Sequence, residues 1–320
     1  MRVLFFILLA FVGIRTTAAQ SNVTVYGIID IGFSAIKTDN SGTHVIEDSS
    51  IQQGSRLGLK GSEDLGSGYS VEFRLESGFN GDTGTLGQGG RLFGRQAYVG
   101  LNGNFGSLKL GRQWIPSYVV LNDLDPFGVA LAGDASRYFG FNIYDNDIRM
   151  DNAVNYSYEK NNFSVVATVG LGEQARSSSA GRQQGIAISQ EAGPLNLQLG
   201  YHKINNVDDS GEAKSLVIGA IYNWGVLKTN FAWGADSTST GAATTYDKRN
   251  YLIGATAPIK SGTLIASAIL QSDRLSQTRN KQYALGYSHT LSKRSNLYAS
   301  IGYADISAIT TIDFGIRHVF

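Results

Sequence analysis

The sequence predicts an all-β fold, a 16-stranded antiparallel transmembrane β-barrel. Three observations carry that prediction. Apolar and polar residues alternate with period two over about ten residues at a time, the span a tilted strand needs to cross a bilayer, and charges keep to the polar parity. The connections between such segments are alternately short and long, as in a chain of hairpins. Proline is scarce, at 4, against 39 Gly, 16 Tyr and 15 Phe, a composition suited to long strands and tight turns.

Taken in order, residues 1–19 are expected to be a secretory signal. Met1 and Arg2 form a basic start, Val3 to Ile14 is apolar, and Thr17 and Ala19 are small residues before a cut. The barrel is then expected over 20–320, with strands starting near 23, 54, 68, 91, 105, 149, 162, 182, 194, 213, 226, 247, 261, 281, 294 and 309. "YSVEFRLESGF" (69–79) is the clearest of them. Tyr69, Val71, Phe73, Leu75 and Phe79 share one face, while Glu72, Arg74 and Glu76 share the other. "LNLQLGYHK" and "KQYALGYSHTL" repeat the pattern, and the final "DFGIRHVF" sets Phe314, Ile316 and Phe320 against Asp313 and Arg317. Short turns such as "KNN", "EAGP" and "NWG" alternate with longer polar stretches, among them "TDNSGTHVIEDSSIQQ", "GDTGTLGQGG" and 115–148. In lipid every backbone N–H needs a partner, so such a sheet must close, and "DFGIRHVF" is read as its closing strand.

Composition narrows the chemistry. With 27 basic and 26 acidic residues there is no charge excess to attract nucleic acid. Without Cys there is neither a disulfide framework nor a zinc–thiolate site. His44, His202, His289 and His318 are scattered, with no metal-ligand or nucleophile–base spacing. "DNDIRMDN" begins like a calcium loop but lacks its glycine and terminal glutamate.

Several stretches, "VTVYGIIDIG", "RLGLKGSEDLGSG", "VEFRLESGF", "RQAYVGL", "FGSLKLGRQ", "DPFG", "YALGYSHTLSKRSNLYASIGY" and "GIRHVF", occur in one order along the chain. Together they resemble the Gram-negative general-diffusion porins. The resemblance implies a homotrimeric channel of the cell outer membrane, whose third long loop, here 115–148, folds into the lumen. It implies passage of small hydrophilic solutes and ions, with no cofactor and no enzymatic activity. Implied partners are the lipid bilayer, lipopolysaccharide and the barrel-assembly machinery, with subunit contacts through the first five strands and the last. A substrate-selective anion channel of the same fold is the alternative.

The same resemblance implies a constriction with a basic wall facing acids on the loop. Carried onto this chain, the wall is Arg56, Arg95 and Arg149, and the loop acids are Asp123 and Asp125. Lys60 and Arg74 share polar-face parity and join the wall, an ordinary solvated position being the competing reading. For Asp123 and Asp125 the competing reading is a cap or turn before Pro126. With three arginines against two loop acids, a mild anion preference is expected. Phe320 is expected to serve barrel closure and, by the resemblance, recognition by the insertion machinery.

Overall fold

The structure, a computed structural model, describes residues 22–38, 42–140, 148–175, 177–305 and 308–320. The expected signal, 1–19, lies outside them. In chain order the first strands are β1 (Asn22–Thr38), β2 (Gly42–Ser49), β3 (Arg56–Gly66), β4 (Tyr69–Gly78), β5 (Gln96–Gly103) and β6 (Gly106–Trp114). After the helix α1 (Pro116–Leu124) come β7 (Arg149–Lys160), β8 (Phe163–Gly170), β9 (Gln183–Ala192), β10 (Leu195–Asn205) and β11 (Gly211–Asn223). The chain finishes with β12 (Lys228–Thr240), β13 (Ala243–Ile259), β14 (Gly262–Asp273), β15 (Arg279–Thr290), β16 (Ser295–Ala304) and β17 (Ile309–Val319).

From β3 to β17 each strand pairs antiparallel with the next, and β17 returns to β1 from Ile28↔Val319 to Thr38↔Ile309. Backbone hydrogen bonds in both directions between Gly27 and Phe320 extend that seam to the last residue. β1 is paired along Ile31–Thr38 by β2 and along Asn22–Ile28 by β3. Those two strands therefore share one position, and the 17-stranded sheet closes as a barrel of 16 staves. This refines the expected connection "TDNSGTHVIEDSSIQQ", half of which is strand.

The break between β2 and β3 has an identifiable cause. The backbone N–H groups of Gln52 and Gln53 both donate to Asp30 Oδ2, and Tyr298 Oη donates to Asp30 Oδ1 at 2.5 Å. Asp30 is fully buried, so the excursion 50–55 is drawn towards the interior instead of continuing the ladder.

Side-chain parity follows the sequence pattern. On β16, Leu297, Ile301 and Tyr303 are exposed while Asn296, Tyr298 and Ser300 are buried. An apolar exterior with a polar inner face is the arrangement a bilayer selects. Turn geometry matches turn chemistry at "KNN", where Asn161 and Asn162 both have positive φ, at 52° and 61°. That conformation gives a two-residue hairpin its twist, and Asn tolerates it better than most residues.

The connection 115–148 packs against the inner face of the later strands. Pro116 occupies the first turn of α1, where its missing N–H costs nothing, and Leu121 and Leu124 are completely buried. They pack with Tyr138, Phe139, Met150, Val217 and Leu252 in an apolar cluster. Polar anchors fix the segment to the wall. Asn230 donates to Leu124 O at 2.9 Å, Gln271 to Tyr138 O at 2.8 Å, and Gly140 N–H to Asp236 Oδ2 at 3.0 Å. Inner-face glycines leave the room. A Cβ on Gly219 would stand 2.5 Å from Leu124 Cδ1, and one on Gly254 2.4 Å from Pro126 Cγ. Residues 141–147 of this connection lie outside the described residues.

Candidate functional site

Three of the predicted arginines sit where strands begin. Arg56 opens β3 directly after the inward excursion, and its Nε donates to Gly54 O at 2.7 Å. Arg95 immediately precedes β5; its Nε donates to Glu76 Oε1 at 2.7 Å, and both side chains are almost fully buried. The other oxygen of that carboxylate, Oε2, accepts from Tyr26 Oη at 2.8 Å. Arg149 opens β7, and its Nε donates to Arg95 O at 2.9 Å. A guanidinium has only donors, so each of these arginines is aimed by an acceptor: a carbonyl of its own connection for Arg56, the β4 carboxylate for Arg95, and the carbonyl before β5 for Arg149.

Aromatic rings fix the same cluster from the loop side. Trp114, at the end of β6, stacks on Tyr118 of α1 with ring centroids 4.9 Å apart and planes within 5°. The guanidiniums of Arg149 and Arg95 lie 4.1 Å and 5.3 Å from the Trp114 centroid, within cation–π range. Burial, followed by the nearby Asp134 carboxylate, pushes the Tyr118 hydroxyl up to about 12, so it remains protonated.

Arg56, Arg95 and Arg149 line one cavity of ≈ 800 Å³ together with Arg74, Arg317, Gln52 and Gln53. Arg74 Nε is buried and has no hydrogen-bond partner among the described residues. Lys60 lies elsewhere: it is exposed, with Nζ 5.3 Å from the centroid of the Tyr26 ring. Arg317 was read from sequence only as a polar-face residue. Pairing of β17 with β1 sets it opposite Asp30, and it donates to Asn296 Oδ1 at 2.9 Å and Gln53 Oε1 at 2.7 Å. Its parity was visible in the sequence; its place at the seam depended on closure. Trp114 and Tyr118 gave no sequence signal of a site role.

The acids are disposed differently from a simple facing wall. Asp125 lines the arginine cavity, yet it is buried and its carboxylate accepts the N–H groups of Phe127, Val129 and Ala135, each at 3.0 Å. Burial, the largest influence, pushes its carboxyl up to about 7, against those three hydrogen bonds. Asp123 is exposed and accepts from Gln198 Nε2 at 3.3 Å, away from the arginine cavity. Asp48, Asp134 and Asp313 instead line a second cavity of ≈ 550 Å³ with Arg137, and the two cavities meet along Val129–Leu131. Five guanidiniums therefore share the first cavity with two carboxyls, Glu76 and Asp125, both already engaged by donors.

The sequence profile of the Gram-negative porin family matches residues 8–308. The chain belongs to that family. An outer membrane porin protein of Bordetella pertussis is 30% identical over 94% of this chain and 95% of its own length. The solved anion-selective porin from Comamonas acidovorans superposes with a TM-score of 0.85 at 28% identity, covering 94% of this chain and 100% of that one. OmpT of Vibrio cholerae, solved in a trimer form, shares the fold with a TM-score of 0.71 at 16% identity, over 94% of this chain and 99% of its own. This porin is thus an outer-membrane β-barrel channel of the general-diffusion kind. Its staves supply the hole, and the side chains within it supply the field.

Proposed function

We propose that this porin conducts small hydrophilic solutes with a preference for anions, set by the cluster of Arg56, Arg74, Arg95, Arg149 and Arg317. The observation that carries this reading is the imbalance in the ≈ 800 Å³ cavity, where the carboxyls of Glu76 and Asp125 are occupied by donors. Guanidiniums in a narrow passage with low-dielectric walls concentrate counter-ions and repel cations. The connection 115–148, held to the inner face by Asn230, Gln271 and Asp236, narrows the passage beside them. The protein's work is conduction, with no catalytic step.

The test is a reversal potential in a salt gradient across a planar bilayer. Chloride should be preferred over potassium, and Arg56→Ala should reduce the ratio; a cation preference in the wild type would refute the proposal. We assign the assembly as a homotrimer, as the family resemblance implies, with a heat-modifiable trimer band in detergent gels as its check. Residues 1–19 act as the export signal in this reading, and Phe320 as part of the mark read by the insertion machinery.

A further inference from the structure

The stretch 50–55 is sewn to a single residue of β1. At its ends, Ser50 N–H donates to Asp30 O at 2.8 Å, and the Ser55 hydroxyl accepts from Asp30 N–H at 3.0 Å while donating to Asp30 O. At its middle, the N–H groups of Gln52 and Gln53 share Asp30 Oδ2. The other carboxylate oxygen takes the Tyr298 hydroxyl, which reaches it over two glycines. A Cβ on Gly315 would lie 2.3 Å from Tyr298 Oη, and one on Gly32 2.9 Å from it. Asp30 is fully buried and Tyr298 nearly so, which keeps water from competing for these bonds.

Held in this way, the stretch meets the arginines on one side and the inserted connection on the other. Gly54 O accepts from Arg56, Gln53 Oε1 accepts from Arg317, and a Cβ on Gly54 would stand 2.5 Å from Arg95 Nη1. Ile51 O accepts the Leu131 N–H at 2.9 Å, and the Ile51 side chain packs on the apolar cluster of Phe127, Leu131 and Tyr298. Two separate segments therefore touch inside the barrel, and Ser50, Gln52, Gln53 and Gly54 line the ≈ 800 Å³ cavity with the arginines.

We propose that 50–55 is a second jaw of the constriction and that Asp30, locked by Tyr298, is the residue that positions it. This rests on the anion reading above, because Asp30 is buried and acts through Arg56, Arg317 and the width of the passage. Position and charge predict opposite signs. Asp30 stands opposite Arg317 in the β1–β17 register. Were charge its whole role, Asp30→Asn would leave the cavity more positive and raise the anion preference. Asparagine, however, has one acceptor oxygen where the carboxylate has two, too few for Tyr298, Gln52 and Gln53 together. The stretch then relaxes, Arg56 and Arg317 lose their acceptors, the passage widens and the anion preference falls.

The test is single-channel conductance and reversal potential, measured side by side in planar bilayers. Asp30→Asn should lower the chloride-to-potassium permeability ratio severalfold and raise the conductance. Tyr298→Phe removes one hydroxyl and no charge, and should move both quantities in the same directions. Heat-modifiable migration identifies folded barrels, and Tyr298→Phe decides alone should Asp30→Asn not insert. The chain has no cysteine of its own, so an Ile51→Cys/Leu131→Cys pair added to either variant can be closed with diamide and reopened with dithiothreitol. Closure should return ratio and conductance towards the wild type, and reopening should reverse both. A raised ratio at unchanged conductance in Asp30→Asn overturns the proposal, as do wild-type values in folded Tyr298→Phe. So does a cysteine pair that fails to close, or one that closes without recovery. A cation preference in the wild type would sink the anion reading alone; the conductance change and its reversal would still decide whether Asp30 sets the second jaw.

Discussion

Arg56, Arg95, Arg149 and Arg317 of the proposed constriction each donate to a particular acceptor. The Arg95–Glu76 pair is the most buried of these contacts, and the same carboxylate holds Tyr26. Removing one partner of such a pair leaves the other charge uncompensated, a cost of about 3–5 kcal/mol in buried settings. Glu76→Gln should therefore lower the unfolding temperature in detergent. Where the barrel still inserts, it should raise the anion-to-cation permeability ratio, because Arg95 is then no longer neutralised. An unchanged ratio would show that Arg95 does not face the ions. Asp125 gives the pH dependence. Its carboxyl is raised to about 7, above the ordinary carboxylate value, so folding favours the protonated form. Its contribution to stability is complete below about pH 4 and is lost as pH rises through 7. Over the same interval the arginine cavity gains a negative charge. The anion preference should fall between pH 6 and pH 8, and Asp125→Asn should flatten the profile; a wild-type ratio constant across that interval would remove Asp125 from the account.

Among the elements, the inserted connection is held by shape as much as by hydrogen bonds. Glycines at 200, 219, 234, 254, 286 and 302 are each the inner-face residue beneath a loop atom. Gly219→Leu places side-chain carbons where Leu124 already stands and crowds Phe231 O of the paired strand, so α1 is pushed away from the wall. Single-channel conductance should change, with increased current noise as the loop loses its seat, while the barrel still migrates as a folded species. Conductance identical to wild type would mean that the loop does not define the passage. The elements also show how far periodicity reaches. Strand starts expected near 149, 162, 182, 194 and 309 occur at 149, 163, 183, 195 and 309. The one expected near 91 occurs at Gln96; the chain before it is engaged elsewhere, with Arg91 paired to Asp151. "DSTSTGAATTY" was expected as a loop but is mostly strand, turning only between Thr240 and Ala243. Its polar residues on both parities hide a strand from any test based on hydrophobic alternation.

At the scale of the molecule the seam between β1 and β17 closes the sheet. Gly27 is required there because a Cβ would lie 2.3 Å from Phe320 Cζ. Deleting Phe320 removes both backbone bonds to Gly27 and its ring from that site. Heat-modifiable barrel in membranes should fall several-fold, and Gly27→Leu should reproduce the defect without touching the terminal residue. If both variants accumulate as wild type, closure at this seam is not limiting for assembly.

Alternation, with the rhythm of short and long connections, determined the barrel and its lipid-facing parity and put Arg74 and Arg317 on the polar face, since period two is a local property of the chain. Motif resemblance supplied Arg56, Arg95 and Arg149 as the wall. What tertiary structure decided was convergence: that Arg317 meets Gln53 and Asn296 across the seam, that Glu76 answers Arg95, and that Asp125 spends its oxygens on its own loop. Those contacts depend on registers accumulated around a closed ring and on where one long connection comes to rest, and neither is written in the spacing of any single strand.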